Sequence, residues 1–420
     1  MKQNNFHFFV VFILLLGVTS CQKELFDQNA YKQFTDFQFM IDHMDKQHDW
    51  NLTKSSTLTI TVPENVKRVQ VLTDNPYNSV KAEIAASGIC FNNQAVLDYS
   101  IPISQNKLYL AAISFDDSYM GVIPFSYGTT AIDLTQQALE QTGTLTEPKP
   151  QTFTYLYEAN FPEPEDFDYN DVVLRVSKDY NDVSYQVLLT VKLEAVGTRK
   201  QVAGGIYLGG YSYDDITKVE IVDGEQMDKE YPMPYRMFGS NDLLVRGRNG
   251  EAIIYLFEDA HWALIKSKEE DGSIMRKKLN TTRSESEFIS AIVDPVTTTY
   301  CITFKNRELA RSLNFNKIDP FIMEEYNSAV WEVHTYYYKF NDVMKDIFRN
   351  NASAYDNHVS WCVVVPQRDF RYPIDGMSLG TYNSKTGEIF GPYNDFAKWM
   401  QNHSSYTEWY KNITHPQLLF

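Results

Sequence analysis

Tyr185, Val187, Leu189, Val191 and Leu193 alternate along the run Ser184–Ala195. A period of two fits a half-buried strand and excludes an amphipathic helix, because successive strand side chains point to opposite faces. Comparable runs recur at Thr57-Leu-Thr-Ile-Thr-Val62, Val66–Leu72, Lys107–Ser114, Val172–Val176, Lys218–Val222, Ala252–Phe257, Thr298–Phe304, Trp331–Tyr338 and Ser360–Val365. Pro63, Asn75-Pro76 and Asn92-Asn93 punctuate the first of them. Aromatic residues form 14% of the chain, with 28 Tyr and 26 Phe, a composition that favours strands. The expected fold is therefore mainly β: tandem antiparallel β-sandwich domains with a short C-terminal helix. In that helix Phe396, Trp399 and Met400 fall at i, i+3 and i+4, with Asn394 as the expected N-cap.

The first twenty residues read as an address. Lys2 supplies a positive start, Phe8 to Leu16 a short apolar stretch, and Val18-Thr-Ser-Cys21 the close. That stretch is too short to span a bilayer and reads as a cleaved signal peptide, residues 1–20. The cysteine behind small residues resembles a bacterial lipobox, which makes Cys21 the lipidation site and the membrane the first expected partner. Gln22-Lys23-Glu24 resembles a short export tag of surface lipoproteins, so the expected location is the outer membrane, facing the cell surface. Residues 21–50 read as a tether, with a short helix around 34–44. A small β-domain is expected at 51–145, a stiff linker at Glu147-Pro-Lys-Pro150, and a second β-rich region at 151–420. Within that region Glu269–Glu287, with Arg276-Lys-Lys278, reads as a solvated excursion.

The formal net charge is −16, and removal of residues 1–20 deletes only Lys2, leaving −17. An acidic surface argues against nucleic acid and attracts divalent cations. Beyond Cys21, the cysteines Cys90, Cys301 and Cys362 leave room for one disulfide at most. Cys301 with Cys362, both in strand-like runs, is the expected pair.

The densest chemistry lies in Glu158-Ala-Asn-Phe-Pro-Glu-Pro-Glu-Asp-Phe-Asp-Tyr-Asn-Asp171, directly before an apolar strand. Asp166, Asp168 and Asn170 alternate, so one tight loop can turn three oxygens inward, with Asp171 as a fourth donor and Glu158 close enough to join them. Several hard oxygens suit Ca2+ better than Mg2+, which keeps its waters. The pattern is no EF-hand, since its sixth position is Asp171 and its twelfth Ser177. A competing reading is a set of Asx-type turns, with the carboxylates accepting backbone N–H groups at the mouth of the strand.

Phe167-Asp-Tyr-Asn-Asp-Val-Val173 resembles the acidic signature of the LruC domain, DUF4842, found in Bacteroidetes lipoproteins. Later segments repeat the likeness in order: Asp319-Pro-Phe-Ile322 then Trp331-Glu-Val-His334, Trp361-Cys-Val-Val-Val-Pro366 then Phe370 to Pro373, and Tyr393-Asn-Asp-Phe396, Trp399 and Glu408-Trp-Tyr410. The resemblance covers about 155–412 and implies a β-rich lipoprotein. Three positions depart from it. Ala159 follows Glu158 where an acidic pair is usual, Glu165 replaces a glycine, and the acidic residue after Pro373 is displaced to Asp375. If calcium binding belongs to the family, Ala159 removes one ligand or brace.

No GxSxG elbow, HExxH helix, phosphate loop or dinucleotide glycine fingerprint occurs. His261, His334, His358, His403 and His415 are scattered, and Glu332 with His334 reads as a satisfied pair inside a sandwich. The leading expectation is a non-enzymatic envelope lipoprotein for adhesion or surface architecture, bound to an extracellular protein or matrix. The alternative is a glycan-binding lipoprotein, with Tyr336, Tyr338 and the Tyr211/Tyr213 loop as candidate sugar contacts.

Overall fold

The computed structural model describes residues 45, 47–159, 161, 168–181, 183, 185–286, 289–326, 328–335, 360–383 and 388–420. Cys21, Asp166, Tyr336, Tyr338 and the helix expected at 34–44 lie outside the described residues.

Eight strands build the first sandwich: β1 (Thr53–Thr61), β2 (Val66–Leu72), β3 (Glu83–Ile89), β4 (Gln94–Pro102), β5 (Lys107–Ser114), β6 (Tyr119–Ser126), β7 (Ala131–Asp133) and β8 (Lys149–Pro150). A three-stranded sheet, β4-β1-β7, faces a five-stranded sheet, β6-β5-β2-β3-β8. Between them Leu58, Ile60, Val69, Val71, Leu97, Tyr99, Ile101, Leu108 and Leu110 form a core that excludes water. The long pairings are antiparallel; β1 with β7 and β3 with β8 are short parallel additions at the edges.

The second body is larger. Its strands are β9 (Thr152–Tyr157), β10 (Val172–Tyr180), β11 (Gln186–Ala195), β12 (Val202–Ser212), β13 (Ile216–Asp223), β14 (Leu244–Arg246), β15 (Glu251–Phe257), β16 (Lys278–Leu279), β17 (Ser290–Ala291), β18 (Val296–Phe304), β19 (Ile318–Tyr326), β20 (Ala329–His334), β21 (Cys362–Val365), β22 (Thr381–Asn383) and β23 (Glu388–Phe390). Its α-helices among the described residues are α1 (Ala260–Ile265), α2 (Arg307–Arg311) and α3 (Asn394–Gln401). A six-stranded sheet, β13-β18-β11-β10-β9-β21, packs on a five-stranded sheet, β14-β15-β12-β19-β20. Strand β11 shows the alternation in full: Val187, Leu189, Val191, Leu193 and Ala195 are buried while the residues between them are half-buried. Burying one such Val or Leu contributes roughly 1.5–3 kcal/mol, which fixes the register of the strand. Tyr185, expected on the same face, lies outside the strand and is exposed.

Four expectations are corrected. The end of the supposed tether is docked: His48 and Trp50 are buried, Trp50 lies 5.5 Å from Trp399, and the Asp45 N–H donates to the Met400 carbonyl at 3.0 Å. The chain therefore touches the second body before it builds the first sandwich, and crosses back at β8–β9. Helix α3 begins at Asn394 itself, with Tyr393 in the cap position. The charged excursion is anchored at both ends of its basic run. Arg276 pairs with buried Asp259 at 2.9 Å, Leu279 is buried, and the Asn280 side-chain amide donates to the Glu194 and Val293 carbonyls. Finally, Cys301 on β18 and Cys362 on β21 are both free. Three strands separate them in the six-stranded sheet, roughly 19 Å at about 4.8 Å per strand, far beyond the about 7 Å a disulfide tolerates.

Candidate functional site

The acidic segment bridges the end of β9 and the start of β10, two neighbouring strands whose register pairs Val172 with Tyr157. Glu158, Asp168, Asn170 and Asp171 are all buried, a costly placement for carboxylates unless their oxygens are met by donors. Main-chain N–H groups meet them. Glu158 accepts from the Tyr169 N–H. Asp171 Oδ2 accepts from the Ala159 N–H at 2.7 Å. Asp168 Oδ1 accepts from the Asn170 N–H at 3.1 Å, an Asx turn, while its Oδ2 reaches across the fold to the Gly376 N–H at 2.7 Å. Asn170 Nδ2 donates to the Pro373 carbonyl at 3.1 Å.

Backbone conformation explains part of this pattern. Tyr169 has φ 56°, in the left-handed region that costs a non-glycine residue on the order of 1 kcal/mol or more. Glu158 holds its N–H, and its phenol donates to the Ser360 carbonyl at 2.8 Å. Gly376 also has positive φ, 74°, so its N–H can turn towards Asp168 without a Cβ penalty. Gly197 backs the segment: a Cβ there would stand 2.1 Å from Asn170 Oδ1. That oxygen is enclosed and has no donor.

The resulting bonds join β9 and β10 to two distant stretches that carry family-like motifs. The Glu158 N–H donates to the Trp361 carbonyl at 2.9 Å, and Phe161 lies against Trp361 and Trp331, 4.8 and 5.6 Å between ring centres. Beyond Pro373 and Gly376 sits an aromatic layer. Phe370 stacks on Tyr393 at 5.0 Å, Trp409 lies 4.8 Å from Phe396, and Tyr169 reaches Phe396 at 6.2 Å. Asp375 pairs with Lys278. Residue 159 needs no acidic side chain for its brace, since the Ala159 backbone supplies it.

The expected ligand set therefore divides. Glu158, Asp168 and Asp171 each accept a main-chain N–H from within the segment, as the Asx-turn reading anticipates, and Asp168 accepts a further one from Gly376. No group of three His, Cys, Asp or Glu side chains suited to a metal ion occurs among the described residues. Other candidates resolve similarly. His334 is buried, with Nδ1 2.9 Å from Asp319 Oδ2 and Nε2 3.1 Å from Glu332 Oε2. Burial opposes its charge, but the two carboxylates outweigh that and push it up to about 9. His261 is buried between Asp259 and the Thr198 carbonyl. Tyr211 is buried with its hydroxyl on the Leu309 carbonyl, and Tyr213 lies under Arg246, so this loop offers no free aromatic face at Tyr211.

Sequence reasoning missed a second buried acidic group. Glu258 accepts from the Met237 and Phe238 N–H groups, and Asp228 from the Tyr255 hydroxyl and the Glu258 N–H. Desolvation pushes Glu258 up to about 7. Only the tertiary fold brings these residues together; no local spacing signals them.

These features define a mainly β protein of two sandwiches, the second clasped by buried carboxylates. A family model described as a domain of unknown function (DUF4842) matches residues 181–410, and the chain belongs to that family. The acidic segment lies just before the matched range but is built into the same sheet. Among solved structures, a putative lipoprotein from Bacteroides ovatus shares the fold, with TM-score 0.53 and 14% identity over 84% of this chain and 99% of that one. The full-length major pilin SpaD from Corynebacterium diphtheriae overlaps 67% of this chain and 63% of its own at 11% identity, but its TM-score is 0.16, which is no fold similarity. No curated protein matches the chain at a significant level.

Proposed function

We propose that this protein is a non-enzymatic lipoprotein of the bacterial outer membrane, anchored at Cys21 and facing the cell surface, with a role in adhesion or envelope architecture. The carrying observation is the Lys2, Phe8–Leu16 and Val18-Thr-Ser-Cys21 sequence in a DUF4842 chain. The fold shared with a protein named as a putative lipoprotein supports it. Acyl chains would hold the chain at the membrane, each buried methylene contributing about 0.8 kcal/mol. The buried clasp suits a load-bearing body, because it ties the strand edges and the C-terminal layer into one unit.

Calcium at the acidic segment is part of this reading. The donorless Asn170 Oδ1 supports it, and a carboxylate that accepts one N–H keeps further lone pairs. Glu158, Asp168, Asn170 and Asp171, with Asp166, would hold the ion, which would stiffen the segment further.

Detergent-phase partitioning of cell extracts tests the anchor. Wild-type protein should enter the detergent phase and Cys21→Ala should not; equal partitioning would remove the lipoprotein reading. Protease treatment of intact cells then reports the face. Calorimetric titration with calcium on the chain from residue 22 tests the ion: saturable binding weakened in Asp168→Ala supports it, and no binding by wild type removes it.

A further inference from the structure

A cleft of about 320 Å³ opens between the two sandwiches, at the lower end of the range for small-molecule sites, roughly 300–1,000 Å³. One wall comes from β2, β3 and β4, the other from the end of β10 and from α2. Arg68, Arg307 and Arg311 line it, and no carboxylate does among the described lining residues. Three guanidinium groups in one cleft of a chain with net charge −16 run against the charge of the molecule.

These arginines are not all consumed by the fold. Burial pushes the half-buried Asp179 carboxyl up, and the nearby Arg68 charge counters it. Arg307 lies 4.6 Å over the ring of Phe91 and only loosely, at 3.4 Å, beside Glu308. Arg311 has its Nε enclosed without an acceptor. The guanidinium carries five N–H donors, and the remaining ones can meet an acceptor in the cleft that Arg311 lines. Gln94 adds amide chemistry suited to hydroxyls, and Phe91, 59% exposed, offers an apolar edge at the mouth.

We propose that this inter-domain cleft binds a small hydroxylated anion, a carboxylate or sulfate group on a body of monosaccharide size. Arg311 and Arg307 receive the oxyanion, since a planar guanidinium matches such groups in two-point geometry. Gln94 receives a neighbouring hydroxyl. Because the walls belong to different sandwiches, the ligand also bridges them and stabilises their packing. The inference is independent of the anchoring reading, and its experiment needs no membrane.

Calorimetric titration of the chain from residue 22 at low ionic strength uses glucuronate, glucose 6-sulfate and glucose as probes. Saturable binding of either anion, at least about tenfold tighter than glucose and weakened at least about tenfold by Arg311→Gln, is expected. Binding by glucuronate alone assigns a carboxylate, by the sulfate alone a sulfate ester. Arg307→Gln, at a half-buried position, serves in place of Arg311→Gln if that variant does not fold, and should weaken binding in the same direction. No saturable anion binding, equal affinity for glucose, or affinity unchanged in the folded arginine variant would overturn the proposal.

Discussion

The two sandwiches solve the same packing problem with different materials. Between residues 53 and 150 the buried polar groups are neutral: Thr53, Gln70, Asn75, Ser87 and Ser100. The core there is aliphatic, small and periodic. Among the described residues every buried carboxylate lies after residue 157, in Glu158, Asp168, Asp171, Asp228, Glu258, Asp259, Asp319 and Glu324. The second body is also where the fully buried tryptophans Trp331, Trp399 and Trp409 sit. A sheet pair closed by short turns needs only alternation. A body assembled from segments that lie 200 residues apart uses buried polar contacts to fix which segments meet. Asp168 to Gly376 and Asn170 to Pro373 are such contacts.

The largest expected effect breaks the polar half. Asp319→Ala strips His334 of its closest counter-charge and also removes the acceptor for the Thr335 N–H and hydroxyl. Removing one partner of a buried ion pair costs about 3–5 kcal/mol. Urea unfolding followed by tryptophan fluorescence should show the second body's transition displaced by that amount; a loss under about 1 kcal/mol would show that the pair is dispensable.

Next comes the aliphatic half. Leu97 is buried in β4 against β3, where a Cβ on Gly88 would stand 2.6 Å from its Cδ2. Leu97→Ala should cost about 2–5 kcal/mol through lost burial and the cavity left behind. Circular dichroism during the same titration should report it, with the aromatic transition of the second body moving less. Equal displacement of both transitions would mean that the sandwiches unfold as one unit.

A smaller effect separates the two by pH. The His334 value of about 9 is raised above the ordinary 6.5. Its stabilisation is therefore complete below about pH 6.5 and is lost as pH rises through about 9. Lys178, buried at the junction, is lowered to about 8 by burial and acts in the opposite direction above that pH. His334→Gln should flatten the decline in stability of the second body between pH 6.5 and 9. A wild-type profile already flat across that window, and unchanged by the substitution, would contradict the assignment.

What the sequence made legible follows the same division. Strands β2 and β5 match their expected bounds, Val66–Leu72 and Lys107–Ser114, because alternation and neighbouring turns are local properties. The acidic segment stood out locally too, but the donors that occupy Asp168 and Asp171 are amides of Gly376 and Ala159, and an amide carries no sequence signature. Charge misled at Arg276, which looked solvated because its partner Asp259 sits in another element. Strand order misled at Cys301 and Cys362: both are in strands, but at positions that three strands hold apart. Asn394 has the composition of a cap, yet the turn brings Tyr393 to that position one residue earlier. The cleft arginines had no signal at all, being spread from Arg68 to Arg311.

The most direct test of the clasp is amide hydrogen exchange on wild type and Asp168→Ala in calcium-free buffer. Exchange should accelerate at Gly376 and through the Phe370–Phe420 layer, while the amides of β1 to β6 keep their protection. Unchanged protection at Gly376, or equal loss in both sandwiches, would contradict a carboxylate clasp that acts locally.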